Sequence, residues 1–337
     1  MIERLTAAAL VSVVIVAAGC SSNSSGSASS PGAATGDTTT VPAAASVQPA
    51  PSTSEPTTST TARSTCARPH APGQFAQTFT FQGRPRTYQL YVPRAYTGRE
   101  NVPVVFNFHG YGSDAVQQMV YGNFKPEAER NDFLIVAPDG QNPASRHFNL
   151  SGEEGLQNDV NMVGALLTHI EGTLCVDTRR VYSSGMSDGG AMTSVLACSM
   201  SNRFAAFAPV AVVLSCGGGK PVPIMAFSGT ADPVVPFNGG TVSCCGHPKI
   251  GSAPSAMAGW AKNNHCDPTP KDVRQSSEAI RRTWSGCSGT SAAVFYIIVG
   301  GGHTWPGSIS IPRLGKTTQQ IDASATIWRF FAQHALA

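Results

Sequence analysis

The chain has 337 residues, of which only 13% are charged, and a formal net charge of +3 at pH 7. So small a charge provides no basic stripe for a phosphate backbone, which argues against nucleic acid as a partner. The composition also changes along the chain, because a long stretch rich in Ser, Thr, Ala and Pro precedes the part that has the aromatic and apolar residues of a folded domain.

Residues 1–19 have the features of an export signal. Arg4 precedes an apolar stretch, Leu5 to Ala18, that is too short to span a bilayer comfortably, and small residues lie directly before Cys20. This ending resembles the lipobox of bacterial lipoproteins, although Ala17 stands where Leu is usual. We therefore expect a lipoprotein-type signal and a lipid on Cys20 that holds an extracellular protein at the outer face of the cell membrane. A plain cleaved signal is the alternative.

Residues 20–65 contain almost no charged and no aromatic side chains. Such a composition cannot bury enough apolar surface to offset the entropy lost on ordering, so we predict a disordered tether. The rest of the chain, residues 66–337, has the length of one α/β domain. It has no further apolar segment long enough to cross a membrane, so we expect membrane contact only through the N-terminal lipid. We expect the protein to be a monomer.

Nine cysteines, less Cys20, leave eight within the predicted domain. An even number in an exported chain predicts disulfides. Zinc is the rival interpretation, with Cys244, Cys245 and His247 as ligands, but no second cluster completes a tetrahedral site. We expect no metal and no cofactor. The adjacent Cys244 and Cys245 either bond to each other or pair elsewhere.

The first half of the domain alternates predicted strands and helices. In chain order they are hairpin strands at 77–81 and 87–92, a buried strand at 102–108, a helical stretch at 115–131 interrupted near 122–126, a buried strand at 133–137, and a helix at 159–174. Nearly continuous apolar strands are typical of a sheet that helices cover on both faces. The alternation predicts an α/β fold with a mostly parallel, doubly wound sheet.

The strand at 102–108 runs directly into His109-Gly110-Tyr111-Gly112. Glycines after a buried strand let backbone N–H groups point into an open crevice, which is the arrangement of an oxyanion hole. We predict the N–H of Tyr111 as one donor. His109 is expected to be hydrogen-bonded within this segment, and His109 and Gly110 are expected to contact a substrate.

A strand-like run at Val181-Tyr182 leads into Gly185-Met186-Ser187-Asp188-Gly189, and a helix-compatible segment at 191–200 follows. This strand, turn and helix context is the one that a nucleophile elbow requires, so Ser187 is the candidate nucleophile. The flanking glycines leave room for close backbone approach at a strained turn. The N–H of Asp188 is the second predicted oxyanion donor.

The second half continues with an apolar stretch at 205–214, a strand at 222–227, a helix at 253–264, a loop containing Cys266 and Cys287, a last strand at 293–299 and a final helix at 321–334. Asp232 follows one of these strands, and His303 lies on a glycine-rich loop after the last one. The order Ser187, Asp232, His303, each directly after a strand, predicts a catalytic triad. The alternative for Asp232 is a turn cap.

These motifs together resemble the secreted esterases grouped as polyhydroxybutyrate depolymerase-like and feruloyl esterase-like enzymes, which include actinobacterial lipoprotein esterases. The matching segments are 108–112, 137–140, 174–178, 185–190, 196–198, 229–236, 263–266 and 300–307. The resemblance implies an α/β-hydrolase fold stapled by disulfides. It further implies the pairs Cys66–Cys175, Cys198–Cys216 and Cys266–Cys287.

The resemblance also implies an exported serine carboxylic-ester hydrolase that works through an acyl-enzyme on Ser187. The expected substrate is a hydroxycinnamoyl-polysaccharide or a short polyester. Tyr111 and Trp305 flank the predicted site, where they either stack on the substrate or pack within the domain. Two alternatives stay open: an acyltransferase acting on cell-envelope sugars, and a ligand-binding lipoprotein with weak esterase activity.

Overall fold

A ten-stranded sheet runs through the residues that the computed structural model describes, which are 66–141, 146–150 and 157–337. Its strands are β1 (Gly73–Phe81), β2 (Arg84–Val92), β3 (Val102–Phe108), β4 (Leu134–Pro138), β5 (Val176–Met186), β6 (Ala206–Val210), β7 (Pro223–Gly229), β10 (Lys271–Arg274), β11 (Ala279–Trp284) and β12 (Ala292–Ile298). Two short strands, β8 (Gly240–Thr241) and β9 (Lys249–Ile250), form a separate ladder. The predicted signal, Cys20 and tether lie outside the described residues.

The strands of the sheet lie in the order β1-β2-β4-β3-β5-β6-β7-β12-β11-β10. The central strands from β4 to β12 are parallel to one another, and each of the two strands at either edge pairs antiparallel with its neighbours. The predicted mostly parallel, doubly wound sheet is therefore confirmed. At the first edge, Gln82 and Gly83 take positive φ angles of 49° and 74° between β1 and β2, as a tight hairpin turn requires.

Helices cover both faces of the sheet: α1 (Ala115–Tyr121), α2 (Lys125–Asn131), α3 (Asp159–Thr173), α4 (Asp188–Ser199), α5 (Ala253–Asn263) and α6 (Ala323–Phe331). Side chains of β3 alternate between two cores because successive residues of a strand point to opposite faces. Phe106 packs in the core that includes residues of α3, α4 and α5, whereas Val105 packs in the core that includes residues of α1, α2 and α6. Both faces are therefore buried, as the apolar run predicts.

The expected loop between Cys266 and Cys287 is wrong in part, because β10 and β11 form an antiparallel hairpin there that extends the sheet beyond β12. Asp272 and Arg282 lie opposite each other in this hairpin and form two hydrogen bonds of 2.8 Å. Charged side chains at an edge strand replace the apolar alternation by which strands are recognised.

Disulfides join Cys66 to Cys175, Cys198 to Cys216 and Cys266 to Cys287, which are the pairs that the resemblance implies. Cys244 and Cys245 bond to each other, which decides between the two alternatives for this pair. Across the described part of the chain, no helix combines the length and the apolar character needed to span a membrane.

Candidate active site

Ser187 lies at the turn between β5 and α4 with φ 57° and ψ −112°. A positive φ is rare for a residue with a side chain and marks local strain. The surrounding backbone holds this conformation, since the N–H of Ser187 donates to the carbonyl of Val210 at 2.9 Å and its own carbonyl accepts from Ala191 at 2.9 Å. The side chain is partly exposed. The chain thus forms the sharp, strained elbow that the motif predicts.

The glycines of the elbow are required by close contacts between main chains. A Cβ added at Gly189 would lie well under 3.0 Å from the carbonyl oxygen of Phe108. A Cβ added at Gly185 would clash in the same way with the carbonyl of Gly189. The N-terminus of α4 therefore packs directly on the end of β3, and only glycine fits at these positions.

The carboxylate of Asp232 lies 2.7 Å from the Nδ1 atom of His303. Its other oxygen accepts hydrogen bonds from the N–H groups of Val234 and Val235, at 2.7 and 2.8 Å. Both side chains of the pair are almost buried, with 2% and 5% of their surface exposed. Asp232 therefore both caps its turn and orients His303, which leaves the Nε2 atom of the ring as the one able to accept a proton. His303 and Ser187 line the same cleft.

The segment that follows β3 lies beside the elbow. A Cβ added at Gly110 would be 3.4 Å from the Cβ of Ser187 and 3.5 Å from the carbonyl oxygen of Met186. Tyr111 lines the cleft with 44% of its surface exposed, and its ring stacks on that of His147. The two predicted oxyanion donors, on Tyr111 and Asp188, thus belong to segments that flank Ser187.

His109 is not placed to contact a substrate, contrary to our expectation, because only 1% of its surface is exposed. Its Nε2 atom accepts a hydrogen bond from the N–H of Gly140 at 2.9 Å, so Nδ1 carries the proton and donates to the carbonyl of Gly110 at 2.8 Å. Burial lowers the pKa of the ring and keeps it neutral. His109 thus links the segment after β3 to the segment after β4, as the expected hydrogen-bonded residue.

A second set of contacts connects the elbow to the loop that contains Phe148. The carboxylate of Asp188 accepts a hydrogen bond from the N–H of Phe148 at 2.8 Å. The ring of Phe148 lies 4.6 Å from that of His109. The next residue, Asn149, donates its N–H to Asp159, which forms a buried ion pair with Arg86. Sequence patterns gave no sign of this network, because its members are far apart in the chain.

Trp305 is also not in the cleft, so of the two interpretations of this residue, packing is the one that the structure supports. Only 1% of its surface is exposed, its indole N–H donates to the Oγ atom of Ser324 at 2.9 Å, and its ring packs edge-on against Phe124. The chain turns inward after His303, which places this residue in the core that contains α6.

The cleft above Ser187 has a volume of about 390 Å³. Its walls are the segment after β3, one side of α1 and residues 309–314. Val116, Val120 and Ile309 line it with about half of their surfaces exposed, at 52%, 53% and 58%. The motifs of the sequence do not point to these residues, although two valines four positions apart on the polar side of α1 are a recognisable signal. No group of potential metal ligands occurs among the described residues.

Residues 86–237 match the family model described as Esterase PHB depolymerase. The chain is 31% identical over 223 residues to feruloyl esterase B of Piromyces equi, an alignment that covers 63% of this chain and 41% of that protein. It is 29% identical over 230 residues to feruloyl esterase C of Emericella nidulans, with coverage of 65% and 76%. The match thus spans less than half of the Piromyces protein.

Among solved structures, an acetyl xylan esterase from Aspergillus awamori superimposes with a TM-score of 0.55 at 15% sequence identity. The superposition covers 77% of this chain and 99% of that one. So low an identity concerns the fold alone. The predicted fold is confirmed as that of an α/β-hydrolase, and the sequence relatives are carboxylic ester hydrolases.

Proposed function

We propose that this chain, which carries an Esterase PHB depolymerase domain and has feruloyl esterases as homologues, is an exported serine esterase that acts through an acyl-enzyme on Ser187. The observation that carries the proposal is the hydrogen-bonded pair of Asp232 and His303, whose imidazole lines one cleft with a serine on a strained elbow. An activated nucleophile needs a strained turn that exposes it, a base that takes its proton and a carboxylate that orients the base, and Ser187, His303 and Asp232 fit these three roles.

In this mechanism, the Nε2 atom of His303 takes the proton of Ser187 while Oγ attacks the ester carbonyl. Asp232 holds the ring in the tautomer with the proton on Nδ1 and stabilises the imidazolium that forms. The imidazolium then gives its proton to the departing alcohol. Water, deprotonated by His303, then attacks the acyl-enzyme; the bond between the acyl carbon and the Oγ atom of Ser187 breaks, His303 returns the proton to Oγ, and the acid leaves.

The tetrahedral oxyanion accepts hydrogen bonds from the backbone N–H groups of Tyr111 and Asp188 in this scheme. Asp188 is the first residue of α4, where the helix dipole adds partial positive charge. The position of Gly110 against Ser187 and the anchoring of the loop by His109 support the assignment. Loss of one such donor typically lowers turnover about 10²–10³-fold.

The substrate in this proposal is a hydroxycinnamoyl-polysaccharide or a short polyester. The apolar wall formed by Val116, Val120 and Ile309 suits an acyl group with little polarity. Tyr111 is the exposed aromatic residue of the cleft and is able to stack on a planar acyl group.

We also propose that the esterase domain, residues 66–337, acts as a monomer outside the cell on a tether, residues 20–65. The signal at 1–19 and a lipid on Cys20 would then provide export and anchoring. Four disulfides in the domain support an oxidising compartment.

The test compares the full-length protein with its Ser187→Ala variant on methyl ferulate, p-nitrophenyl acetate and a 3-hydroxybutyrate dimer. Ser199→Ala, at the exposed end of the same helix, is the matched control. We expect Ser187→Ala to lower kcat by about 10⁴-fold or more on each ester that is cleaved, with the control unchanged. Equal rates for wild type and Ser187→Ala would contradict the proposal. If the rate of acyl transfer to added glycerol or trehalose exceeded the rate of hydrolysis, the result would instead indicate an acyltransferase.

A further inference from the structure

The cleft has an uneven distribution of charge. Among the described residues that line it, Arg313 is the one side chain with a permanent charge, and the lining includes no carboxylate. The remaining surface beyond the triad residues consists of glycine, apolar, tyrosine and uncharged polar side chains. Within this described lining, a substrate therefore meets one permanent charge, and that charge is positive.

Arg313 is attached firmly to the proposed catalytic loops through its own backbone. It lies in a 3₁₀ turn, Pro312–Leu314, and the carbonyl of Leu314 accepts the N–H of His303 at 2.7 Å. The next residue, Gly315, lies against Pro233, which follows Asp232. The turn thus rests on both loops that carry the Asp232–His303 pair, so the backbone of Arg313 is held in place relative to the reacting groups.

The guanidinium of Arg313 is exposed and has no ionic partner among the described residues. Nearby cations behave differently, because Lys316 pairs with Glu278 and Arg146 pairs with Asp114. Guanidinium groups offer a rigid fork of donors that matches a carboxylate in two hydrogen bonds.

We propose that Arg313 is a specificity-determining residue that binds a free carboxylate of the substrate, so that the enzyme prefers esters that carry a negative charge away from the scissile bond. This inference rests on the proposed esterase function. The carboxylate belongs either to the acyl group, as in a half-ester of a dicarboxylic acid, or to the alcohol, as in an ester of a hydroxy acid or a uronic acid. The apolar body of the substrate lies along Val116 and Val120.

The experiment uses two pairs of esters that differ in charge and little in shape. Mono-p-nitrophenyl adipate and its methyl ester place the charge on the acyl side, and 4-acetoxybenzoate and 4-acetoxybenzamide place it on the alcohol side. The kcat/KM of each is measured for full-length wild type, Arg313→Gln, Arg313→Lys and Lys316→Gln. Lys316→Gln is the matched control, because it removes the same charge three residues away, outside the cleft lining.

We expect Arg313→Gln to lower kcat/KM about tenfold for the charged member of one pair, mainly through KM, and to change the neutral members less than twofold. Arg313→Lys should retain part of the preference, and Lys316→Gln all of it. The pair that responds identifies the side of the ester that carries the carboxylate. In wild type the preference should shrink as salt rises from 20 to 500 mM, because salt screens a contact at an exposed group.

Equal losses on charged and neutral esters, or the same effect from Lys316→Gln, would overturn the role of Arg313 while leaving the esterase proposal intact. A salt-independent ratio of charged to neutral rates in wild type would overturn it without any substitution. Failure of wild type to cleave any of the four esters, together with failure in the Ser187 test above, would overturn both proposals.

Discussion

The two sides of the cleft are held in place by different means. On the elbow side, Gly185 and Gly189 bring main chains into contact, and His109 ties the neighbouring loop through backbone hydrogen bonds. On the outer wall, Val120 and Arg313 project exposed side chains that few contacts restrain. The proposed catalytic groups are thus positioned by the backbone, whereas the proposed substrate-binding surface depends on side chains. Substitutions on the two sides should differ in kind as well as in size.

The largest expected effect is that of Asp232→Asn on the elbow side. The amide would still accept hydrogen bonds from Val234 and Val235, so the loop should keep its shape. Its NH₂ group would face the Nδ1 atom of His303 and favour the wrong tautomer. We expect kcat to fall about 10⁴-fold with little change in KM or melting temperature. Steady-state kinetics and thermal melts check this, and a loss below tenfold would show that Asp232 does not orient the base.

The next effect is on folding. Gly189→Ala places a methyl group against the carbonyl of Phe108 and should lower the free energy of unfolding by about 3 kcal/mol or more. Gly172→Ala is the matched control, since nothing lies within 4 Å of its Cβ position in α3, and it should stabilise by about 0.5–1 kcal/mol. Urea unfolding curves compare the two. Equal effects would mean that the elbow is not held by main-chain contact.

His109→Asn should affect both activity and the pH dependence of stability. Loss of the link between Gly110 and Gly140 should loosen the proposed oxyanion loop, and we expect kcat to fall about 10–100-fold. Burial lowers the pKa of His109 below its ordinary value of 6.5, so the unfolded chain binds a proton more readily than the folded one. The contribution of His109 to stability is therefore full above pH 6.5 and is lost as pH falls through the lowered pKa.

The check is the melting temperature of wild type and His109→Asn between pH 8 and pH 4. Below pH 6.5 the melting temperature of wild type should fall more steeply than that of the variant. Each kcal/mol of lost unfolding free energy lowers the melting temperature by about 2–4 °C. Parallel curves for the two proteins would contradict the assignment of a neutral, buried ring.

The smallest effect belongs to the outer wall. Val120→Ser should lower kcat/KM for an ester with an apolar acyl group about 2–5-fold and leave stability unchanged, because the side chain loses only its contact with substrate. Val299→Ser, an exposed valine outside the cleft, is the control and should be neutral. A loss of stability in Val120→Ser, or equal kinetics for the two variants, would count against a substrate-binding wall.

Much of the elbow side could be predicted from sequence, because main-chain contacts require glycine and strand ends require particular neighbours. The segments at 108–112 and 185–190 carry that requirement as visible motifs, and the strands between them are apolar on both faces. The sequence order of Ser187, Asp232 and His303, each after a strand, also predicts that these side chains meet at one edge of the sheet. The structure places two of them, Asp232 and His303, in direct contact.

The outer wall could not be predicted in this way, because it forms where α1 meets residues 309–314, nearly two hundred positions later in the chain. Proximity in sequence was misleading for His109 and Trp305. Both adjoin predicted site residues, yet the backbone turns their side chains into the core. The hairpin of β10 and β11 could not be predicted, because Asp272 and Arg282 interrupt the apolar alternation of a strand. These charged residues pair only when the two strands lie side by side.

Covalent labelling distinguishes Ser187 from every other candidate nucleophile. The full-length protein is treated with a fluorophosphonate, digested, and the adduct is located by peptide mass spectrometry. We predict one adduct, on the peptide that contains Ser187, absent in Ser187→Ala and formed far more slowly in Asp232→Asn. An adduct on another residue, or ester hydrolysis that persists in Ser187→Ala, would show that Ser187 is not the nucleophile.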